Sequence, residues 1–310
     1  MCTVIQPGML STVQDQGRRG YRAFGMPSSG VMDRYAATMA NILAGNPATA
    51  AVLEMTLVGG SFRFASEAYV AIAGADMQAR LNGRPLKNWS GTYVPPDSEL
   101  VFGRAVNGCR SYLALHGGIA EPSVMGSRST YTRAGLGGLD GRALRTDDVL
   151  RIGRSTTLPS APRELPRELA PRYGSEVRLR VILGPQDAMF TAHGLHTLFN
   201  GAFTVSPRND RMGVMLEGPA VQHEDGADII SDAIHAGAIQ VPGDGHPIVM
   251  MADCQTTGGY AKIGYVISAD LPRLAQAQAG DRVRFVQSSD EEAVAALAAE
   301  QRAYETAARG

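Results

Sequence analysis

GAIQVPGDGHPIVMMADCQTTGGYAKIG, residues 237–264, reads as a buried strand, then a strand ending in polar residues, then a glycine hinge and a lysine. The apolar run at 248–251 has strand length, and Asp253, Gln255, Thr256 and Thr257 follow it at once. Gly258 and Gly259 supply the hinge, because glycine permits backbone paths that residues with a Cβ resist. Tyr260 and Lys262 come next. Polar groups at the end of a hydrophobic strand are held rigidly enough to converge on a small ligand. A tight hairpin with solvated polar residues is the competing reading of this stretch taken alone.

The chain around it has 310 residues, enough for a large core and for about two domains. Hydrophobic residues make up 44% and charged residues 19%, the balance of a globular protein and not of a disordered one. A net charge of −1 gives no footprint of a nucleic-acid or membrane-surface protein. The 36 glycines and 17 prolines suit many turns and short strands. No apolar run approaches the roughly 20 residues that cross a bilayer. The N-terminus lacks the charged and apolar regions of a signal peptide. Cys2, Cys109 and Cys254 are widely spaced, odd in number and form no CxxC pair, so no zinc site or disulfide framework is expected, and the expected location is the reducing cytoplasm. Cys254 lies inside the polar cluster. With no His near it in sequence to activate a thiolate, a small packed residue outweighs a nucleophile.

Taken in order, residues 1–30 are short strands and glycine-rich turns, with Arg18 and Arg19 set between glycines as an anion-binding loop or a solvated turn. A helix is expected over 32–44, where Met32, Ala36, Met39 and Leu43 share one face and Gly45-Asn46-Pro47 stops it. Asn41 and Asn46 serve as cap and turn residues or as site residues. From 50 to 153 short apolar or alternating runs predict strands. Glu54 sits inside one of them, where a carboxylate needs a partner or a function. Ser127, Arg128, Ser129 and Thr130 place hydroxyls around a guanidinium ahead of a glycine-rich loop, a composition suited to an anion that matches neither a GxSxG elbow nor a Walker A loop.

The expected organisation is a first domain over 1–154, a proline-rich linker over 155–175, a second domain over 176–288 and a C-terminal helix over 289–310, opened by a Ser289/Glu292 capping box. A second helix is expected over 187–199. His193 and His196 share its face but lack a third ligand, so they read as surface or packed histidines. The two halves echo one another: Asp33 and Asp187 open helices, Asn46 and Asn200 close them, and Glu54 and Glu217 each follow a Leu in the next strand. That shared order predicts two related β-rich units, each a barrel with one helix, and a site in a crevice between them.

The stretches TVQDQGRRGYRAFGMPSSGVMDRYA, ANILAGN, LEMTLVGG, GSRSTYTRAGLGGLDGR, NDRMGVMLEG, GAIQVPGDGHPIV and ADCQTTGGYAKIGYVISADLPRLAQ resemble the 5-oxoprolinase C-component family. That family is also called allophanate hydrolase subunit 2, biotin-dependent carboxyltransferase-like, or antagonist of kinase-inhibitor. The resemblance covers nearly the whole chain. It implies a mainly β fold with a few helices, built as two tandem cyclophilin-like β-barrel domains. It implies as partners a cyclophilin-like homologue, the B component, and a LamB/YcsF-type protein, the A component. It further implies a complex that uses ATP, with or without Mg2+, to hydrolyse 5-oxo-L-proline to L-glutamate. The alternatives are a carboxyltransferase-type protein acting on urea or another small amide, with any biotin carried by another protein, and a non-catalytic regulatory partner of a kinase-inhibitor-like homologue.

Opening a stable lactam through a phosphorylated amide oxygen needs phosphate charge bound, a small amide positioned and an oxyanion stabilised. Lys262, Asp253, Arg128 and Glu54 are the expected catalytic residues. Arg128, Arg211 and Lys262 neutralise phosphate or carboxylate, and Asp253 orients Lys262 or binds magnesium. Ser127, Ser129, Thr130, Thr256, Thr257, Tyr260 and Asn41 bind substrate or phosphate, and Gln240 or Gln255 bonds an amide. No dedicated protein metal site is expected.

Overall fold

The structure is a computed structural model that describes residues 1–153, 155 and 158–309. Residues 154, 156 and 157, at the expected start of the linker, and residue 310, at the expected end of the last helix, lie outside the described residues. Two compact units are present: Met1–Arg18, Ser29–Tyr173 and Gln301–Gly310 form the first, and Arg19–Ser28 with Gly174–Glu300 the second. Strands dominate both, with a few helices, which is the fold class expected from the sequence.

The first unit holds two six-stranded sheets. The longer strands of one, Ala68–Asp76 and Asn107–Leu115, lie side by side with Val52–Thr56 and Leu10–Gln14 beyond them. Side chains alternate across a strand. Leu53, Met55, Val70, Ile72, Leu113 and Leu115 therefore face one core with Val4, Phe62, Phe64 and Leu100 of the other sheet. Val52, Ala71, Ala73, Tyr112 and Ala114 face helix α1, Arg34–Leu43. Alanines at 71, 73 and 114 leave room for the helix, which presents Ala36, Met39, Ala40 and Leu43 at helical spacing. Asp33 caps α1, its carboxylate accepting from the Ala36 N–H at 2.8 Å. In the proline-rich stretch, Arg163–Glu164 pairs with Ser90–Val94, and Leu165 is buried beside α1.

The second unit is a closed seven-strand barrel. In ring order its strands are Glu176–Leu183, Lys262–Val266, Ala238–Gln240, Ile248–Met250, Gly213–Glu217, Phe203–Val205 and Arg282–Gln287. A parallel pairing of Glu176–Leu183 with Arg282–Gln287 closes the ring and leaves no barrel edge unpaired. Phe203 and Phe285 pack inside it with ring centroids 5.6 Å apart, both fully buried. A two-stranded ribbon, Asp228–Ala233 with Thr257–Tyr260, stands outside the barrel ladder.

Helix α2, Ala192–Asn200, starts later than the sequence suggests. Asp187 opens a single 3-10 turn, and Thr191, extended at φ −64° and ψ 159°, caps α2 by accepting from the Gly194 N–H at 2.9 Å. Asp33 and Asp187 are therefore not equivalent caps. A short helix α3, Leu271–Ala275, and α4, Asp290–Arg309, follow. Ser289 and Glu292 make the expected reciprocal capping box at 3.2 and 3.3 Å. Among the described residues no helix is long and apolar enough to cross a membrane.

Candidate functional site

Residues 237–264 supply three neighbouring barrel strands of the second unit, one strand of the ribbon and the loops between them. Gly213–Glu217 and Ile248–Met250 pair with Gly213 opposite Met250. Beyond that, the Met251 N–H donates to the Met212 carbonyl and the Asp253 N–H to the Arg211 carbonyl, both at 2.8 Å. This register sets Arg211 against Asp253. The guanidinium grips the carboxylate as a fork, Nε to Oδ2 at 2.9 Å and Nη2 to Oδ1 at 3.1 Å, and both residues are buried.

Lys262 opens the next barrel strand and is fully buried. Its Nζ donates to Asp232 Oδ2 at 2.7 Å, and its backbone N–H donates to Gln186 Oε1 at 3.3 Å. The expectation that Asp253 orients Lys262 is corrected: Asp253 is committed to Arg211 by strand register, and Asp232 of the ribbon holds the lysine. The Lys262 hydrogen bond, followed by that from the Ala233 N–H, holds the Asp232 carboxyl below its ordinary value. Burial and then the Asp232 charge raise the Tyr265 phenol, and the exposed His235 ring stacks on Tyr265 at 4.6 Å.

Gly258 and Gly259 lie in a ribbon strand, and neither has a positive φ, so the expected hinge is absent. Two side-chain ends approach Gly258 closely instead. A Cβ there would stand 2.2 Å from Ile234 Cδ1 and 2.9 Å from Gln240 Nε2. Gln240 is buried and donates to the Tyr260 carbonyl at 3.3 Å, while Thr257 and the Tyr260 ring are exposed. Thr256 accepts through its carbonyl from the Ile234 N–H at 2.9 Å. Gln255 Oε1 is enclosed without a hydrogen-bond partner among the described residues. Burial is the main influence raising the Cys254 thiol, against which the charge and hydrogen bond of Arg22 act.

In the first unit, Ser127 to Thr130 close around Asp15. Its Oδ1 accepts from the Ser127 and Ser129 hydroxyls at 2.6 Å, its Oδ2 from the Arg128 N–H at 2.6 Å, and Oδ1 also takes the Gly17 N–H at 2.9 Å. Thr130 Oγ1 donates to the Val13 carbonyl at 2.9 Å, and the buried Arg18 donates to the Ser129 carbonyl. Hydroxyl protons aimed at Asp15 are spent within the loop. Arg128, half-buried, donates through Nε to the Glu121 carbonyl at 2.7 Å. Buried Glu54 accepts from the Met32 N–H and the Tyr112 hydroxyl, each at 2.8 Å, while Glu217 is exposed and accepts from the Ser206 hydroxyl at 2.7 Å. Buried Asn41 donates to the Ala50 carbonyl at 2.8 Å and accepts from Asn46 at 3.1 Å. Among the described residues no group of three or more His, Cys, Asp or Glu stands ready to hold a metal ion.

Sequence reasoning missed Asp15, Asp232 and Gln186. Asp15 stands in the quoted stretch TVQDQG, and Gln186 in GPQD at residues 184–187, each a polar residue just past a strand. Asp232 gives no such signal, because only the fold brings it to Lys262.

The second unit is thus a closed barrel that carries two ion pairs, Arg211–Asp253 and Lys262–Asp232. A family model for a carboxyltransferase domain, subdomain A and B, matches residues 24–287, and the chain belongs to this family. Within it, the chain is 38% identical over 307 residues to the C component of 5-oxoprolinase from Escherichia coli strain K12, covering 98% of this chain and 97% of that protein. It is 33% identical over 293 residues to the C component of 5-oxoprolinase from Haemophilus influenzae, covering 94% and 93%. Among solved structures, the urea amidolyase of K. lactis matches with a TM-score of 0.93 at 29% identity, over 99% of this chain and 20% of that one. The chain thus spans a fifth of that longer protein.

Proposed function

We propose that this protein is one component of an ATP-dependent 5-oxoprolinase complex that hydrolyses 5-oxo-L-proline to L-glutamate. The observation that carries the reading is the buried Lys262 ammonium, held by Asp232, in a chain that matches the E. coli 5-oxoprolinase C component over 98% of its length. Lys262 supplies positive charge where a carboxylate or phosphoryl oxygen is received, and burial strengthens that interaction. Asp253 acts by fixing Arg211. Gln240 and Tyr260 support the ribbon beside Lys262, and Gln255 and Thr256 lie in the loop through which a small amide is reached, with Thr257 opening the ribbon strand after it. In the first unit, Arg128 presents charge from a loop that Ser127, Ser129 and Thr130 hold rigid through Asp15 and Val13. Glu54 and Asn41 support helix α1 and its flanking turns.

ATP would supply the phosphoryl group that activates the amide carbonyl carbon towards water, so that the ring C–N bond breaks and the phosphoryl group departs afterwards as phosphate. In the second unit the cationic residues Lys262 and Arg211 fit its charge by type, and Mg2+ would arrive with the nucleotide. Partners in this reading are a second cyclophilin-like protein and a LamB/YcsF-type protein. Co-expression with both, followed by an assay of 5-oxoproline-dependent ATP hydrolysis and glutamate release, tests it. A complex that forms and shows no turnover overturns it.

A second reading, transfer of a carboxyl group to urea or another small amide, is favoured by the match to K. lactis urea amidolyase over 99% of the chain. Urea-dependent turnover with a biotin-carrier partner, and none with 5-oxoproline, would establish that reading in place of the first.

A further inference from the structure

Charge in the second unit is matched at Arg211 by Asp253 and at Lys262 by Asp232. Arg22 differs. It lies in the 3-10 turn Arg22–Phe24, within the segment Arg19–Ser28 that belongs to the same unit. Its guanidinium hydrogen-bonds the Cys254 side chain, a buried thiol and therefore a neutral partner. Its Nη2 is enclosed with no hydrogen-bond partner among the described residues, and no carboxylate pairs with it there. Gln255, the residue after Cys254, carries a matching orphan in its enclosed Oε1.

An enclosed N–H of a cation without an acceptor carries an uncompensated desolvation cost, and so does an enclosed amide oxygen without a donor. Arginine offers a planar fork that fits carboxylate or phosphate oxygens. One orphan donor on a cation bonded to the Cys254 side chain, and one orphan acceptor on the next residue along the chain, are the complement of a ligand that carries an anionic oxygen and an N–H. A lactam acid has both.

We propose that Arg22 and Gln255 are ligand-binding residues of the second unit: Arg22 receives an anionic oxygen of a carboxylate or phosphate, and Gln255 accepts the N–H of a small amide. The proposal rests on the reading that this unit binds a small amide, and it gives that ligand its negatively charged group.

The test is calorimetric titration of the full chain with 5-oxo-L-proline, with 2-pyrrolidinone, which is the same lactam without the carboxylate, and with inorganic phosphate. Binding of 5-oxo-L-proline identifies the anion as the substrate carboxylate, and binding of phosphate alone identifies it as a phosphoryl group. Arg22→Gln is expected to weaken the anion that binds by about tenfold or more and to leave 2-pyrrolidinone unchanged. Arg22→Lys keeps the charge without the fork and is expected to lose about threefold or more, so it carries the test if Arg22→Gln fails to fold. Gln255→Leu is expected to weaken 5-oxo-L-proline. Wild-type affinity for the anion in the folded Arg22 variants overturns the proposal, as does failure of the wild-type chain to bind either anion. A chain that binds through Arg22 but supports no ATP-coupled hydrolysis in the complex overturns the proposed function and leaves this inference standing.

Discussion

Lys262 and Asp232 form an asymmetric ion pair: the lysine side chain is 1% exposed, and the aspartate side chain 2.7 Å away is 50% exposed. A carboxylate released from the pair is solvated where it stands, whereas an ammonium released from it stays enclosed.

The two halves of this pair therefore differ in what their loss does. Asp232→Ala is expected to lower the melting temperature more than Lys262→Met, because only the first leaves a buried unpaired charge. Thermal unfolding of the two variants side by side checks this. Equal or reversed losses would show that the ribbon opens freely and that water reaches Lys262.

The same pair gives an acid limb. Its carboxyl is held below the ordinary 3.8, chiefly by Lys262, so its stabilisation is full above that value and is lost as pH falls through the lower folded value. Asp232→Asn is expected to flatten this part of the stability–pH curve, measured by urea unfolding across acid pH, and to leave the slope near neutrality unchanged.

Arg211 and Asp253 are both buried, so breaking their fork is a different matter. Arg211→Met or Asp253→Asn is expected to cost about 3–5 kcal/mol, and replacing both with apolar residues is expected to recover most of it. A double-mutant cycle by denaturant unfolding reads the coupling directly. Additive single effects would contradict the fork.

Gly258→Ala places a methyl 2.2 Å from Ile234 Cδ1 and is expected to destabilise by about 1–3 kcal/mol. Ile234→Val removes that Cδ1 atom. The double variant is expected to be more stable than Gly258→Ala alone, which a hinge role for the glycine would not produce.

Burial pushes the Cys2 thiol up to about 12 and also raises Cys254, while Cys109 is buried as well. Thiol titration at neutral pH is expected to find all three slow to react in the folded chain and fast in denaturant. Rapid modification of Cys254 in the native chain would revive its reading as a nucleophile.

What was legible in the sequence was local. The amphipathic spacing of α1, the Ser289/Glu292 box and the apolar run at 248–251 all depend on neighbours a few residues apart, and each is found close to its expected place. The second helix misled because Asp187 resembles Asp33 in position, yet the cap that forms is Thr191, whose extended backbone starts the helix four residues later. The site was half legible. Lys262, Arg211 and Asp253 stood out by type, but their pairing follows from strand register and ribbon placement, which no local pattern encodes. Asp232 reaches Lys262 across 30 residues of chain, and Asp15 reaches Ser127 across 112. Arg22 carries no local mark beside the more conspicuous Arg18 and Arg19, since its distinction lies in an unmatched N–H that only the packed structure reveals.

If the buried Lys262 ammonium stabilises the reacting oxygen, its removal must show in 5-oxoproline-dependent ATP hydrolysis by the reconstituted complex. A complex carrying Lys262→Met is expected to assemble as in wild type and to lose turnover by about a hundredfold or more, the scale of removing one preorganised charge from a reacting oxygen. Undiminished turnover in an assembled Lys262→Met complex would contradict that role.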